Sequence, residues 1–270
     1  MVSVFCALAF WHYLKALRTF AKSSPSAVYG FLSLLMVVAV IASYSRGAVI
    51  ALLLFLGMFL VAFFVRQFTL PAYPQKKLIA GVLLAAFAVF AFIGLKGLNA
   101  QETWDRMEQL FDGKDNTVVV RQTATKATFD MWRGARWLGH GAGSFKLIFP
   151  QYQQHYPSIY EFHVTVKGKK VPRRFFWENA HNDIAQTLAE FGLVGTGLIA
   201  LGMLWGLVRF VRIRAWANPI SITLILGLIA TLIHSWGEFV FQNPAILVTW
   251  AALGIISLRW SELELPPQSR

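Results

Sequence analysis

The sequence predicts an all-α, polytopic membrane protein with about six transmembrane helices and a small, mostly helical cap on the outer face. Three observations carry that expectation. Of the 270 residues, 56% are hydrophobic and only 14% are charged, whereas a soluble domain carries about a quarter charged residues. Apolar runs recur at lengths near the roughly 20 residues that cross a bilayer. Cationic residues gather beside those runs, which explains the formal charge of +12 without invoking nucleic acid; no RNA-binding motif is present.

The first stretch, "MVSVFCALAFWHYLKALRTFAKSSPS", has no basic segment before its apolar part and no small-residue cleavage site. It reads as the end of a membrane helix, or as an interfacial helix, leading into a basic loop rather than as a signal peptide. Spans are then expected over 27–44, 47–66, 78–98, 184–208 and 218–236. A sixth, 239–258, is interrupted by Gln242, Asn243 and Pro244. This divides the chain into N-terminal membrane helices (1–98), a loop domain (99–183) and C-terminal membrane helices (184–270).

Threading six spans in alternation puts Lys15, Arg18 and Lys22, then Arg66, Lys76 and Lys77, then Arg209, Arg212 and Arg214, and finally Arg259 on one side. By the positive-inside rule that side is the cytoplasm. The opposite face receives Arg46, the long segment 99–178 and the turn at 234–244. Within the long segment, "QETWDRMEQLFDG" places Trp104, Met107, Leu110 and Phe111 on one helical stripe. A second helix is expected from about Val119 to Leu138, ending at "GHGAGSF". "FHVTVKGKKVPRRFFW" alternates like a short hairpin with "KGKK" as its turn. There is no internal repeat.

Three places on the outer face could carry chemistry. Arg46, in "SYSRGA", lies between two apolar runs, where a guanidinium must snorkel to water or meet an anion. Arg121 opens "RQTATKATFDMWRGARWLGHGAGSF". The glycine-rich end of that stretch could expose amides to phosphate, but it lacks the Lys-Ser/Thr of a P-loop and also suits a plain helix C-cap. His181, in "WENAHND", stands where an apolar helix is about to begin. A neutral imidazole there can accept a hydroxyl proton, with Glu178 or Asp183 orienting it; a purely structural histidine is the alternative. Glu190 is a candidate buried acid that could also cap or pair locally. No His-x-x-x-His or His-Glu-x-x-His spacing occurs and Cys6 is the single cysteine, so no metal site is expected. No G-x-S-x-G elbow is present either.

"SRGA" before a membrane helix, an arginine-led helix into "GHGAGSF", then "HNDIAQTLAEFGLVGTGL" and "HSWGEFVFQNPAILVTWAALG" together resemble the O-antigen ligase/polymerase superfamily. That superfamily comprises lipopolysaccharide O-antigen ligases, Wzy-type polymerases and O-oligosaccharyltransferases. The resemblance covers nearly the whole chain, with Glu238 standing where relatives often carry Asp. It implies a glycosyltransferase of GT-C-like architecture in the bacterial inner membrane, active on the periplasmic face and needing no metal or other cofactor. The donor would be an undecaprenyl-diphosphate-linked glycan and the acceptor a hydroxyl, of lipid A-core in a ligase. Arg46 and Arg121 would grip the diphosphate and His181 would deprotonate the nucleophile, with Asn182 and Glu178 lining the substrate site. Relatives usually carry more spans than six, which implies a shortened or partial member. A non-catalytic glycolipid-binding or transport protein is the rival from another class.

Overall fold

The computed structural model describes residues 1–19, 24–43, 45–69, 116–166 and 169–264. The expected span 78–98 and the amphipathic stretch around Trp104 lie outside the described residues. The helices are α1 (Val2–Thr19), α2 (Ser26–Ala42), α3 (Arg46–Thr69), α4 (Asn116–Gly134), α5 (Phe145–Gln153), α6 (Pro157–Tyr160), α7 (Asp183–Arg212), α8 (Pro219–His234) and α9 (Pro244–Glu264). The strands β1 (Glu161–Val166) and β2 (Lys169–Arg174) pair antiparallel, with Glu161 opposite Arg174 and Val166 opposite Lys169. Apart from this expected hairpin and a short 3-10 turn at Ala215–Ala217, the described fold is helical.

Among the described residues, three helices are long and apolar enough to cross a membrane: Gly47–Arg66, Asp183–Arg212 and Pro244–Glu264. Val2–Leu17, Ser26–Ala42 and Pro219–His234 are shorter apolar helices. Where helices begin is set by local chemistry. Asn218 Oδ1 accepts the amides of Ile220 and Ser221 at 2.9 and 3.1 Å, so α8 starts at Pro219. The sixth expected span begins five residues later than its apolar content suggested. Pro244 disfavours helix at the preceding residue, and Asn243 Oδ1 caps the Ala245 amide at 3.0 Å.

The chain forms two compact units. The first comprises Met1–Asp105, Val208–Ile233 and Thr249–Arg270. Its core includes Phe10, Leu14 and Phe63, all buried, with Phe10 and Phe63 rings 5.2 Å apart. Small residues bring α8 and α9 close: the Ser221 hydroxyl lies 2.6 Å from both the Ser257 carbonyl and the Ser261 hydroxyl. Glu262 meets both Arg209 and Arg259, so the basic end of α7 lies beside the last turns of α9.

The second unit comprises Arg106–Leu207 with His234–Val248. Along α4, Ala124, Ala127, Thr128 and Met131 recur at helical spacing, and all are fully buried. They pack with Phe145, Phe149, Ile159, Ala180 and Ala189. Phe145 and Phe149 stack at 4.5 Å. Buried Gln153 donates to the carbonyls of Ile159 and Phe175, tying α5 to the strand that leads towards His181.

Candidate functional site

The polar head of α7 is built from its first residues. Asn182 is buried, and its Oδ1 accepts the Ala185 amide at 3.0 Å, the hydrogen bond of a helix N-cap. Gln186 Oε1 accepts the Ala180 amide at 2.9 Å, folding the approaching chain against the helix. Between these two anchors His181 takes the left-handed conformation, φ 52°, which costs a non-glycine residue about 1–3 kcal/mol unless its surroundings hold it there. The ring is held by aromatic neighbours: Trp177 at 5.8 Å and Phe239 at 4.7 Å, each edge-to-face.

A turn between α8 and α9 completes the site. The Asp183 amide donates to the Ser235 carbonyl at 2.9 Å. The Asp183 carboxylate accepts the Phe241 amide at 2.8 Å and the Gln242 side chain at 3.1 Å. Two ends of the turn are thereby fastened to the start of α7, and Glu238 is presented between them. Glu238 Oε2 lies 3.4 Å from His181 Nδ1, and Oε1 accepts from Arg121 Nη1 at 2.6 Å. Arg121 Nη1 also lies 3.5 Å from the Gly237 carbonyl.

The electrostatics follow from this chain of contacts. The hydrogen bond with His181, followed by the hydrogen bond and charge of Arg121, holds the Glu238 carboxyl below its ordinary value of 4.5 against the opposing effect of burial. A glutamate kept ionised favours the imidazole tautomer that carries its proton on Nδ1. Among the described residues His181 Nε2 makes no hydrogen bond, nor do Nε and Nη2 of Arg121. One edge of each group is anchored, and no described residue engages the other.

Arg121 and His181 are thus brought together in the second unit. Arg46 stands at the first position of α3 in the other unit, and its side chain lies outside the described residues. Glu178 is exposed and makes no hydrogen bond among the described residues, while the Asn182 carboxamide oxygen is engaged in capping. The carboxylate beside the imidazole is Glu238, fifty-seven residues further along the chain, rather than Glu178 or Asp183. Its signal in the sequence was an acid in a turn between two apolar runs, where an ionisable group needs a reason. Among the described residues, no group of three or more His, Cys, Asp or Glu side chains gathers in the manner of a metal site.

The glycine-rich turn has a different job from phosphate binding. The Gly143 and Phe145 amides donate to Glu190 at 2.9 and 3.2 Å, and the His140 and Gly141 amides donate to the Ala189 and Glu190 carbonyls. Glu190 therefore caps locally, with Gln186 as a further donor at 3.1 Å. At Gly192 (φ 63°, ψ −169°) α7 breaks, and the Leu193 and Val194 amides donate to the Arg136 and Trp137 carbonyls. A Cβ on Gly192 would lie 2.3 Å from the Trp137 carbonyl oxygen, and one on Gly139 would lie 2.3 Å from that of Glu190. Only glycine permits this approach from both sides.

The family model described as O-antigen ligase matches residues 31–200, a range holding Arg46, Arg121, the glycine-rich turn and His181. No match was found among curated proteins. With the match extending over well more than half of its length, and with apolar helices that associate it with a membrane, this chain belongs to the O-antigen ligase family.

Proposed function

We propose that the protein is a metal-independent membrane glycosyltransferase that moves a glycan from an undecaprenyl-diphosphate carrier to an acceptor hydroxyl. The reaction we assign is ligation of O-antigen to lipid A-core on the periplasmic face of the bacterial inner membrane. Family membership supports the general part of this reading, a membrane glycan-transferring function. The observation that carries the catalytic part is the chain Arg121–Glu238–His181, with the far edges of the arginine and the histidine unengaged among the described residues. The exposed cations Arg173 and Arg174 in the same unit suit a phosphorylated acceptor and favour ligation over polymerisation.

In this mechanism Glu238 orients the imidazole through Nδ1. Nε2 accepts the proton of the acceptor hydroxyl as its oxygen attacks the anomeric carbon. The sugar–diphosphate bond breaks on the opposite side, its electron pair leaves with the diphosphate, and the anomeric configuration inverts. Arg121 stabilises the charge growing on the leaving group. A planar guanidinium suits this task because it stays charged and spans two phosphate oxygens.

The test is complementation of ligase-deficient and polymerase-deficient cells. His181→Ala and Arg121→Ala are each expected to lower surface-glycan transfer at least about a hundredfold while the protein remains in the membrane. Transfer at the unaltered rate by both variants rules the mechanism out. Rescue of only the polymerase-deficient cells reassigns the acceptor.

A further inference from the structure

The loop that fastens the break in α7 leaves its apolar side chains uncovered. Trp137 is 70% exposed and Leu138 is 76% exposed, although both adjoin a tightly hydrogen-bonded joint. Leu147, on the first turn of α5, is 70% exposed. Arg136 and Lys146 flank these residues; both are exposed and neither side chain has a partner among the described residues. A water-facing loop has no reason to combine a tryptophan and two leucines with two exposed cations that find no partner among the described residues.

The joint tells which environment this loop occupies. The Val194 amide donates to the Trp137 carbonyl at 3.0 Å and the Leu193 amide to the Arg136 carbonyl at 2.8 Å, so the loop is level with the break. Before the break, Asp183, Gln186, Ala189 and Glu190 are buried in the unit's polar and aromatic core. After it, Leu193, Val194, Leu198, Leu201, Leu204 and Trp205 all face outward. From Leu193 to Arg212 is roughly 20 residues, about 30 Å of helix, the thickness of a bilayer's hydrocarbon. The hydrocarbon therefore begins at Gly192, and the loop level with Gly192 lies at the headgroup boundary. Tryptophan partitions to that depth, and arginine and lysine beside it reach lipid phosphates with their apolar stems in the acyl region.

We propose that Arg136, Trp137, Leu138, Lys146 and Leu147 form a membrane-docking surface whose partner is the phosphate-bearing headgroup layer of the bilayer itself. The cap is then seated in the interface at a point beyond its helical anchors. Docking sets the depth of α4, the helix that carries Arg121. The inference rests on the membrane reading of α7 and does not depend on transfer chemistry.

Depth-resolved fluorescence tests it. Cys6 is the single cysteine, so Cys6→Ala gives a background for Leu138→Cys bearing an environment-sensitive probe. The full chain is reconstituted in vesicles of equal parts zwitterionic and anionic phospholipid. Reference probes are placed at Leu201→Cys on the outward face of α7 and at exposed Gln122→Cys on α4. The Leu138 probe is expected to be shielded from aqueous iodide and quenched about twofold more by nitroxides near the glycerol than by nitroxides deep in the acyl chain. The Leu201 probe should show the reverse depth order. A Leu138 probe as open to iodide as the Gln122 probe overturns the proposal. Shielding from iodide without quenching by either lipid label also overturns it, because a protein surface or a second copy would then cover the loop. Trp137→Cys, read in parallel and checked by its thermal transition, guards against a misfolded variant. No glycan donor is present, so loss of transfer activity in other assays leaves this result untouched.

Discussion

The first arm of α7 ends at both sides in an acid that holds a distant segment by its backbone, and the two ends differ in what they hold. At its start Asp183 grips the Phe241 amide and the Gln242 side chain and receives the turn that presents Glu238. At its finish Glu190 grips the Gly143 and Phe145 amides in a joint closed by backbone hydrogen bonds on both sides of Gly192. One end leaves half-exposed groups beside a histidine with an unengaged nitrogen. The other fills nearly every donor it gathers. Similar local chemistry thus builds an open edge at one end and a closed structural joint at the other, and substitutions at the two ends should separate activity from stability.

The largest expected effect is at the closed end. Gly192→Ala puts a Cβ 2.3 Å from the Trp137 carbonyl oxygen and 2.5 Å from the Gly139 nitrogen, in a conformation that alanine rarely adopts. A loss of about 3 kcal/mol or more is expected, because overpacking and backbone strain add. Thermal unfolding of the detergent-extracted protein measures it. A variant as stable as the parent would mean that the joint is not the closed structure described.

Next is Glu190→Ala, which leaves the buried Phe145 amide, the buried Gln186 side chain and the partly buried Gly143 amide without their acceptor. Orphaned buried donors cost about 1–3 kcal/mol, and the loss should appear in unfolding before it appears in the rate of the surviving folded protein. Asp183→Asn is the counterpart at the open end. It keeps the size of the side chain but weakens its hold on the Phe241 amide, so Glu238 loses its fixed place. We expect transfer to fall about tenfold to a hundredfold, as displaced catalytic groups do, with a smaller change in unfolding than Glu190→Ala gives. Equal ratios of activity loss to stability loss at the two ends would dissolve the distinction between them.

Much of this arrangement could be read along the chain, and its limits are physical. Apolar length announced α2, α3, α7, α8 and α9, and alternation announced the hairpin at 161–174. The helix that carries Arg121 was legible, although it runs from Asn116 to Gly134 and so stops short of the expected end at Leu138. What could not be read was the reason for those glycines. "GLVGTGL" looks like any small-residue stretch of a membrane helix, and the need for glycine at 192 arises only from the carbonyl of Trp137, which folding brings against it. The Glu238–His181 contact has the same character: it joins residues whose sequence neighbours offered nearer carboxylates in Glu178 and Asp183. Local pattern identified reactive residue types, whereas their pairing was set by tertiary hydrogen bonds that periodicity does not encode.

The smallest expected stability effect belongs to the residue with the clearest chemical role. Glu238 and its partners are only partly buried, with Arg121 36% exposed at its side chain and Glu238 25%. Solvent screening limits what such a pair contributes, so Glu238→Gln should cost no more than about 1 kcal/mol. Its pH dependence has a definite sign. The folded carboxyl titrates below its ordinary value of 4.5, so its contribution is fully present above that value and is lost as the pH falls through the folded one. The stability difference between the parent and Glu238→Gln should therefore be flat above pH 4.5 and shrink on acidification, as followed by unfolding at each pH. Transfer should respond the other way round, falling sharply in Glu238→Gln even at neutral pH because the imidazole loses the anion that selects its tautomer. Retention of near-normal transfer by this variant would leave Arg121 and His181 as neighbours without a shared task, and the open end of the arm would become a second structural joint.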